Sequence, residues 1–427
     1  MSVPGHDDRS RPPRAPDHEG PDEDIEPPLE LPPAPARSGL RCGSSLAIQR
    51  LKEALAEIKV AKRSDPALAV EGALLLMERL WPAFEGIDSS SGSLGNAVGN
   101  TVHELIDILL AAPAEEPTLE RWLDRLWTAM EEDGVDFLSE VGDHWGELCR
   151  TATRASRAAD GLIAAVRLSW SPEHRGYFRG TSACLSCLLA AGRLQDLLDL
   201  IATAPYLSWH YRRYGVLALA ANGQPDEAIA YAEASRGLNS SPVAIALACE
   251  EVLLAAGRPD EAYRRYASLA NRAGSNLATF RAINKKYPAL APRAILDALI
   301  AETPGEEGKW FATAKTLGLL DLALDLARRS PVDIGTLLRA ARDHLDSEPA
   351  FALETATAAL GWMAAGRFYE MKAGDVWQAM GYALREAEAL DRVESTRGLI
   401  KGLAQDPNTD AFVREQLVRG TPYFPGR

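Results

Sequence analysis

The stretch LLAAGRPDEAYRRYA, Leu253 to Ala267, repeats a phrase that stands 34 residues earlier as LAANGQPDEAIAYA, Leu219 to Ala232. Gly-x-Pro-Asp-Glu-Ala written twice at the length of one helical hairpin marks a stacked structural unit; a catalytic loop has no reason to recur at that spacing. In each copy an Ala/Leu-rich run ends on glycine, and a second run opens with proline and two carboxylates. Glycine supplies the left-handed backbone that closes a helix. Proline fits the first helical position, where its missing N–H costs no hydrogen bond, and carboxylates favour the positive end of the helix dipole. The phrase therefore reads as helix, turn, helix.

Working outward, Gly192 in LLAAGRLQD, Gly223 and Gly257 are 31 and 34 residues apart. Gly318 in TLGLLDLALDLA lies 61 beyond Gly257, about two units on, and Gly366 in WMAAGRFYE follows 48 later with a poorer fit. Apolar residues spaced three and four apart predict helices in SSLAIQRLKEALAEIKVAKRS from Ser44 and in DPALAVEGALLLMERLWPAF from Asp65. Asp65-Pro66 has the form of an N-cap followed by a first-turn proline. The same start is expected at Ser171-Pro172-Glu173, Ser241-Pro242, Ser330-Pro331 and Asp406-Pro407. No alternating pattern assembles a sheet. The predicted fold is all-α, an α-solenoid of stacked helical hairpins.

The chain of 427 residues is 46% hydrophobic and 25% charged, and its net charge is −14. Such a balance opposes general phosphate binding while leaving room for a local basic face. Residues 1–38 hold nine Asp/Glu, four Arg, ten of the 27 prolines and no aromatic. That composition cannot bury enough apolar surface to offset ordering, so residues 1–40 are expected to form a disordered tail. A helical module over 41–175 and a repeat domain over 176–427 complete the predicted organisation. No apolar run has signal-peptide or membrane-spanning form. The five cysteines, Cys42, Cys149, Cys184, Cys187 and Cys249, are no disulfide framework. A cytoplasmic location with no membrane partner is expected.

With Gly257 as the turn, Ala262 and Tyr266 fall where tetratricopeptide repeats place a small residue and an aromatic on the second helix, and Gly223 with Ala228 matches likewise. The chain resembles a degenerate tetratricopeptide array over about residues 180–330. The resemblance implies a concave binding face. The order of ERLWPAFEGIDSSSGSLG, LLAAGRPDEAYRRYASLANRAGSNLATFRAINKKYPAL and ALETATAALGWMAAGRFYEMKAGDVWQAMGYALREAEAL also resembles a bacterial family of helical-repeat proteins that travel with SWIM zinc fingers. The Cys-x-Cys and Cys-x-His pairs of that finger are absent here, so its zinc role is not carried over.

Tyr206 to Leu219, YLSWHYRRYGVLAL, is the densest aromatic and basic cluster, and Tyr206 to Arg293 holds eleven Lys/Arg against seven Asp/Glu. Aromatics interleaved with arginines can grip an acidic peptide or stack on bases. The expected function is a non-enzymatic protein–protein interaction scaffold. Its partner-binding residues are expected to be Trp209, His210, Tyr211, Arg212 and Arg213, supported by Arg264, Arg265, Lys285 and Lys286, and its partner a protein presenting an acidic segment. The alternatives are nucleic-acid association through 206–293 and, ranked below it, a metal- or thiol-dependent protein centred on Cys184 and Cys187. On a purely structural reading, Trp209 and Tyr214 fill a hairpin core while Arg212 and Arg213 are solvated. Cys184-x-x-Cys187 has metal-ligand and dithiol spacing, with Cys149, Cys249, His174 and His210 as the nearest further ligands. Set in an Ala/Leu helix, it reads first as two small packing residues. HELID from His103 lacks a second histidine, Glu85 to Asn96 lacks the ligand order of a calcium loop, and Glu131-Glu132 and Glu250-Glu251 read as solvated helix faces. No cofactor, metal or catalytic constellation is expected.

Overall fold

The computed structural model describes residues 44–87, 92–237, 240–368 and 370–420. The expected tail, Cys42 and residues 88–91 of the Gly/Ser connection lie outside the described residues. All regular elements among the described residues are helical, and no strand occurs. None of these helices is long and apolar enough to cross a membrane. The chain divides into two compact units. One runs through Ala155 and adds Arg179–Cys187; the other holds Ser156–Phe178 and the chain from Leu188 onward.

The first unit contains α1 (Ser44–Ser64), α2 (Pro66–Phe84), α3 (Ser93–Ala111), α4 (Glu116–Glu132), α5 (Ser139–Asp143) and α6 (Trp145–Leu148). The division falls within α7 (Ala152–Ser169) and α8 (Thr181–Ala190). Asp65 caps α2 as its sequence predicts, its carboxylate accepting the N–H of Ala67 and Leu68 at 3.0 Å each. Leu74, Met77, Val98, Leu105, Trp122 and Leu126 are buried. Arg125 on α4 reaches across to two carboxylates of α2, Glu71 at 2.5 Å and Glu78 at 2.6 Å. The end of α3 is closed by a side chain from elsewhere: the Arg150 guanidinium donates to the carbonyls of Leu109, Leu110 and Ala112, acceptors a helix leaves without internal partners.

The second unit holds the repeated phrase. Its helices are α9 (Leu194–Ala202), α10 (Trp209–Ala221), α11 (Pro225–Glu233), α12 (Pro242–Ala255), α13 (Pro259–Ala270), α14 (Asn276–Lys286) and α15 (Pro292–Ala301). A 3-10 turn (Glu307–Trp310), α16 (Phe311–Thr316), α17 (Leu320–Arg329), α18 (Ile334–Asp343) and α19 (Pro349–Ala364) follow. Last come α20 (Ala373–Ala389), α21 (Val393–Gln405) and α22 (Ala411–Gly420). Successive helices pack on one another: α10 on α9 and α11, and α12 on α10, α11 and α13.

Each glycine-marked turn is built alike. Gly192, Gly223, Gly257, Gly318 and Gly366 have φ of 70°, 75°, 72°, 73° and 64°. At Gly257 the glycine N–H donates to Leu254 O (3.1 Å) and the next N–H, of Arg258, donates to Leu253 O (2.9 Å). The same pair closes the turns at Gly192, Gly223, Gly318 and Gly366. This double bond satisfies two terminal carbonyls and needs one left-handed residue. A sixth turn of this kind was not legible: Asp391 (φ 56°) donates to Glu388 O at 3.4 Å and Arg392 to Ala387 O at 2.7 Å. Ala262, Tyr266 and Ala228 are buried, the small and aromatic positions expected on the second helices.

The arginine after the turn residue has its own work. Arg193 pairs with Asp196 (2.7 Å) and reaches back 33 residues to Asp160 (2.5 Å). Arg258 pairs with Glu261 (2.6 Å) and reaches back 32 residues to Asp226 (2.7 Å). Arg392 reaches Glu354 at 3.0 Å. At Gly192-Arg193 and Gly257-Arg258 the dipeptide thus ends one helix and ties the hairpin to an earlier helix.

Three expected helix starts are corrected. Ser241-Pro242 does open α12, with the serine hydroxyl accepting Ala244 N–H. Ser171-Pro172 instead forms a turn, Ser330 ends α17, and Asp406 ends α21. Proline equally suits the residue after a helix stop, and in the last two cases a later aspartate caps the next helix: Asp333 for α18 and Asp410 through the N–H groups of Phe412 and Val413 for α22.

Candidate functional site

Tyr206 to Arg213 comprises a loop and the first turns of α10. Tyr206 and Leu207 stand 65% and 67% exposed on the loop, and His210 is exposed on the helix. Trp209 is half-buried and packs against the apolar core of the second unit. The Tyr211 ring lies 5.4 Å from that of buried Trp170 and 5.3 Å from His210. Tyr214 is buried, as the structural reading expected.

The two arginines differ. Arg212 holds the α10–α11 hairpin together. Its Nε donates to the buried Ser235 hydroxyl at 2.5 Å, its guanidinium lies 3.9 Å from the Tyr231 ring centre, and Ser235 in turn donates to Tyr231 O. Gly215 makes that ring contact possible, since a Cβ there would stand 2.7 Å from the Tyr231 ring. Arg213 donates to His210 O at 3.1 Å and lies over Tyr214 at 5.1 Å. Neither arginine is merely solvated.

The supporting cations do not form a row. Arg264 is exposed and donates to Asp260 O on its own helix. Arg265 pairs with Glu261 (2.8 Å) and Glu233 (3.2 Å). Lys285 is exposed, but Lys286 is tied to Glu250 at 2.7 Å. At least four of the eleven cations between Tyr206 and Arg293 are held in ion pairs, among them Arg258, Arg265, Lys286 and Arg293, so density along the sequence does not become a continuous exposed basic face.

Glu250 corrects the expectation of a solvated face. Its side chain is fully buried. It accepts from Tyr287 OH (2.7 Å), Asn271 (2.8 Å) and Lys286, which satisfies both oxygens. Burial first, then the bond to Glu250, pushes the Tyr287 hydroxyl well above its ordinary range. These partners lie 21 to 37 residues downstream, roughly one repeat, and only the repeat register could have pointed to them. Glu251, Glu131 and Glu132 are exposed as expected.

Cys184 and Cys187 lie on α8 and are fully buried. The neighbouring Cys149 thiol and burial push the Cys187 thiol far above a reactive range. The cysteines among the described residues carry no disulfide. No group of three or more His, Cys, Asp or Glu side chains among them is placed to hold a metal. His103 meets Glu140 at 2.8 Å, an exposed pair.

The surface also includes residues the sequence did not single out. The chain after α7 folds back on itself, with Arg175 N–H bonded to Ser171 O (2.9 Å) and Gly176 N–H to Ser169 O (2.7 Å). This loop leaves Tyr177 64% exposed beside the end of α7, where Leu168 is 58% exposed. The Trp170–Tyr211 ring contact joins it to α10. No family model matches the sequence, and comparison with curated proteins finds no match.

Proposed function

We propose that this protein is a non-enzymatic, cytoplasmic interaction scaffold. Its glycine-closed hairpins stack as a tetratricopeptide-like solenoid, and an acidic segment of a protein partner docks at the start of α10. The observation that carries the scaffold reading is the single hydrogen-bond pattern repeated at five glycine turns, because identical turns joining helices that pack on their neighbours are what an array requires. Kinship with the helical-repeat family that travels with SWIM zinc fingers is part of the same proposal.

At the docking point His210, Tyr211 and Arg213 make the contact, and Trp209 anchors the helix from behind. Arg264 and Lys285 add charge. Arg212 is excluded from the test because its bonds to Ser235 and Tyr231 are structural. Affinity capture from the source cells with wild type and with His210→Glu/Arg213→Glu separates the outcomes. A partner lost from the variant, with circular dichroism unchanged, supports the reading. A partner retained by the variant overturns the site.

A further inference from the structure

We propose that the docking surface extends beyond α10 onto the end of α7 and the loop after it, and that it takes an acidic peptide segment carrying an apolar anchor residue. This inference rests on the scaffold reading and names the chemistry of its partner. Arg167, Leu168, Arg175 and Tyr177 stand on either side of Trp170 in the chain, Tyr206 and Leu207 precede Tyr211, and the Trp170–Tyr211 ring contact joins the two segments. Four of these six are large apolar or aromatic side chains between 58% and 67% exposed, apolar surface that an anchor residue of a partner would cover.

Charge selects the occupant. Across 156–178 and 204–213 there are five arginines against two carboxylates, Asp160 and Glu173. Asp160 is engaged by Arg193, and Glu173 is exposed on the loop, its carboxyl held below the ordinary range by its own backbone N–H and the Ser171 hydroxyl. Arg167 and Arg175 are exposed, and neither enters an ion pair among the described residues. Two leucines among the exposed residues offer no ring for base stacking, and a chain at −14 repels a polyphosphate at long range. A short acidic peptide with one Leu or Phe satisfies both features.

Arg175 adds a diagnostic. Its φ is 42°, a left-handed conformation that a bulky residue adopts at a cost and glycine adopts freely. Fold alone would favour glycine there. Arg175→Gly is therefore expected to leave the melting temperature unchanged or raised while weakening binding.

The probe is a fluorescein-labelled ten-residue peptide of Glu and Asp with a central Leu-Phe pair, measured by anisotropy at two salt concentrations. Charge reversal at Arg167 or Arg175, or Leu207→Ser, is expected to weaken it about tenfold each, and replacing Leu-Phe by Ser-Ser should weaken it similarly. Peptide binding that responds to Arg213→Glu but not to Arg167→Glu or Arg175→Gly overturns the extension and leaves the α10 site standing. No peptide binding by the wild-type chain overturns the acidic-partner reading itself. Tighter binding of an oligothymidylate than of the peptide overturns the choice of partner.

Discussion

Gly257 holds φ at 72° with nothing within 4 Å of where a Cβ would lie, so the demand for glycine there comes from the backbone and owes nothing to crowding. Gly257→Ala is expected to cost about 1–2 kcal/mol, read as a lower urea midpoint. Gly402, in the interior of α21 with equally open space, gives the opposite sign: alanine there should gain about 0.5–1 kcal/mol. These glycines were legible because a left-handed turn needs them locally. Asp391 escaped notice because aspartate tolerates the same conformation without announcing it. Glu250 escaped for another reason: its partners Asn271, Lys286 and Tyr287 meet it only through packing. Glu250→Ala strands Tyr287 OH and an ammonium at a buried site and should cost on the order of 3 kcal/mol, measured by denaturant unfolding.

At the scale of elements, the helix starts were half legible. Proline marks a boundary without saying which side of it the helix lies, and the aspartates at 333 and 410 decided the matter for α18 and α22. The arginine staples were visible as the dipeptide Gly-Arg, but their function required the hairpins to be in register. Their acids at 160 and 226 are 61% and 76% exposed, so solvent screens each staple and its contribution is small. Arg193→Ala/Arg258→Ala should lower stability modestly at low salt, and the difference should shrink in 1 M salt. Glu386, near the end of α20, is buried. Burial raises its carboxyl above the ordinary value of 4.5, against the pull of neighbouring Arg385. A carboxyl raised in the folded state makes folding less favourable as pH climbs from the unfolded value through the folded one. Glu386→Gln is thus expected to raise the melting temperature at pH 7 and to lose that advantage below about pH 4.

Across the whole molecule, the all-helical class followed from apolar spacing and from the absence of alternation, signals that each helix carries by itself. The proposed interaction surface was only partly legible. Its aromatic core on α10 stood out in the sequence, whereas Trp170, Arg175 and Tyr177 join it through a loop that folds back and a ring contact no spacing rule announces. The account depends on the hairpins of the second unit lying in one stack. Spin labels three residues past the turn glycines, at Gln195, Asp260 and Asp321, test that directly by pulsed dipolar spectroscopy in a chain with Cys42 replaced by serine. With helices about 8–10 Å apart, stacking predicts about 20 Å between 195 and 260 and about 40 Å between 195 and 321. A 195–321 separation no longer than that of 195–260 would contradict the stack.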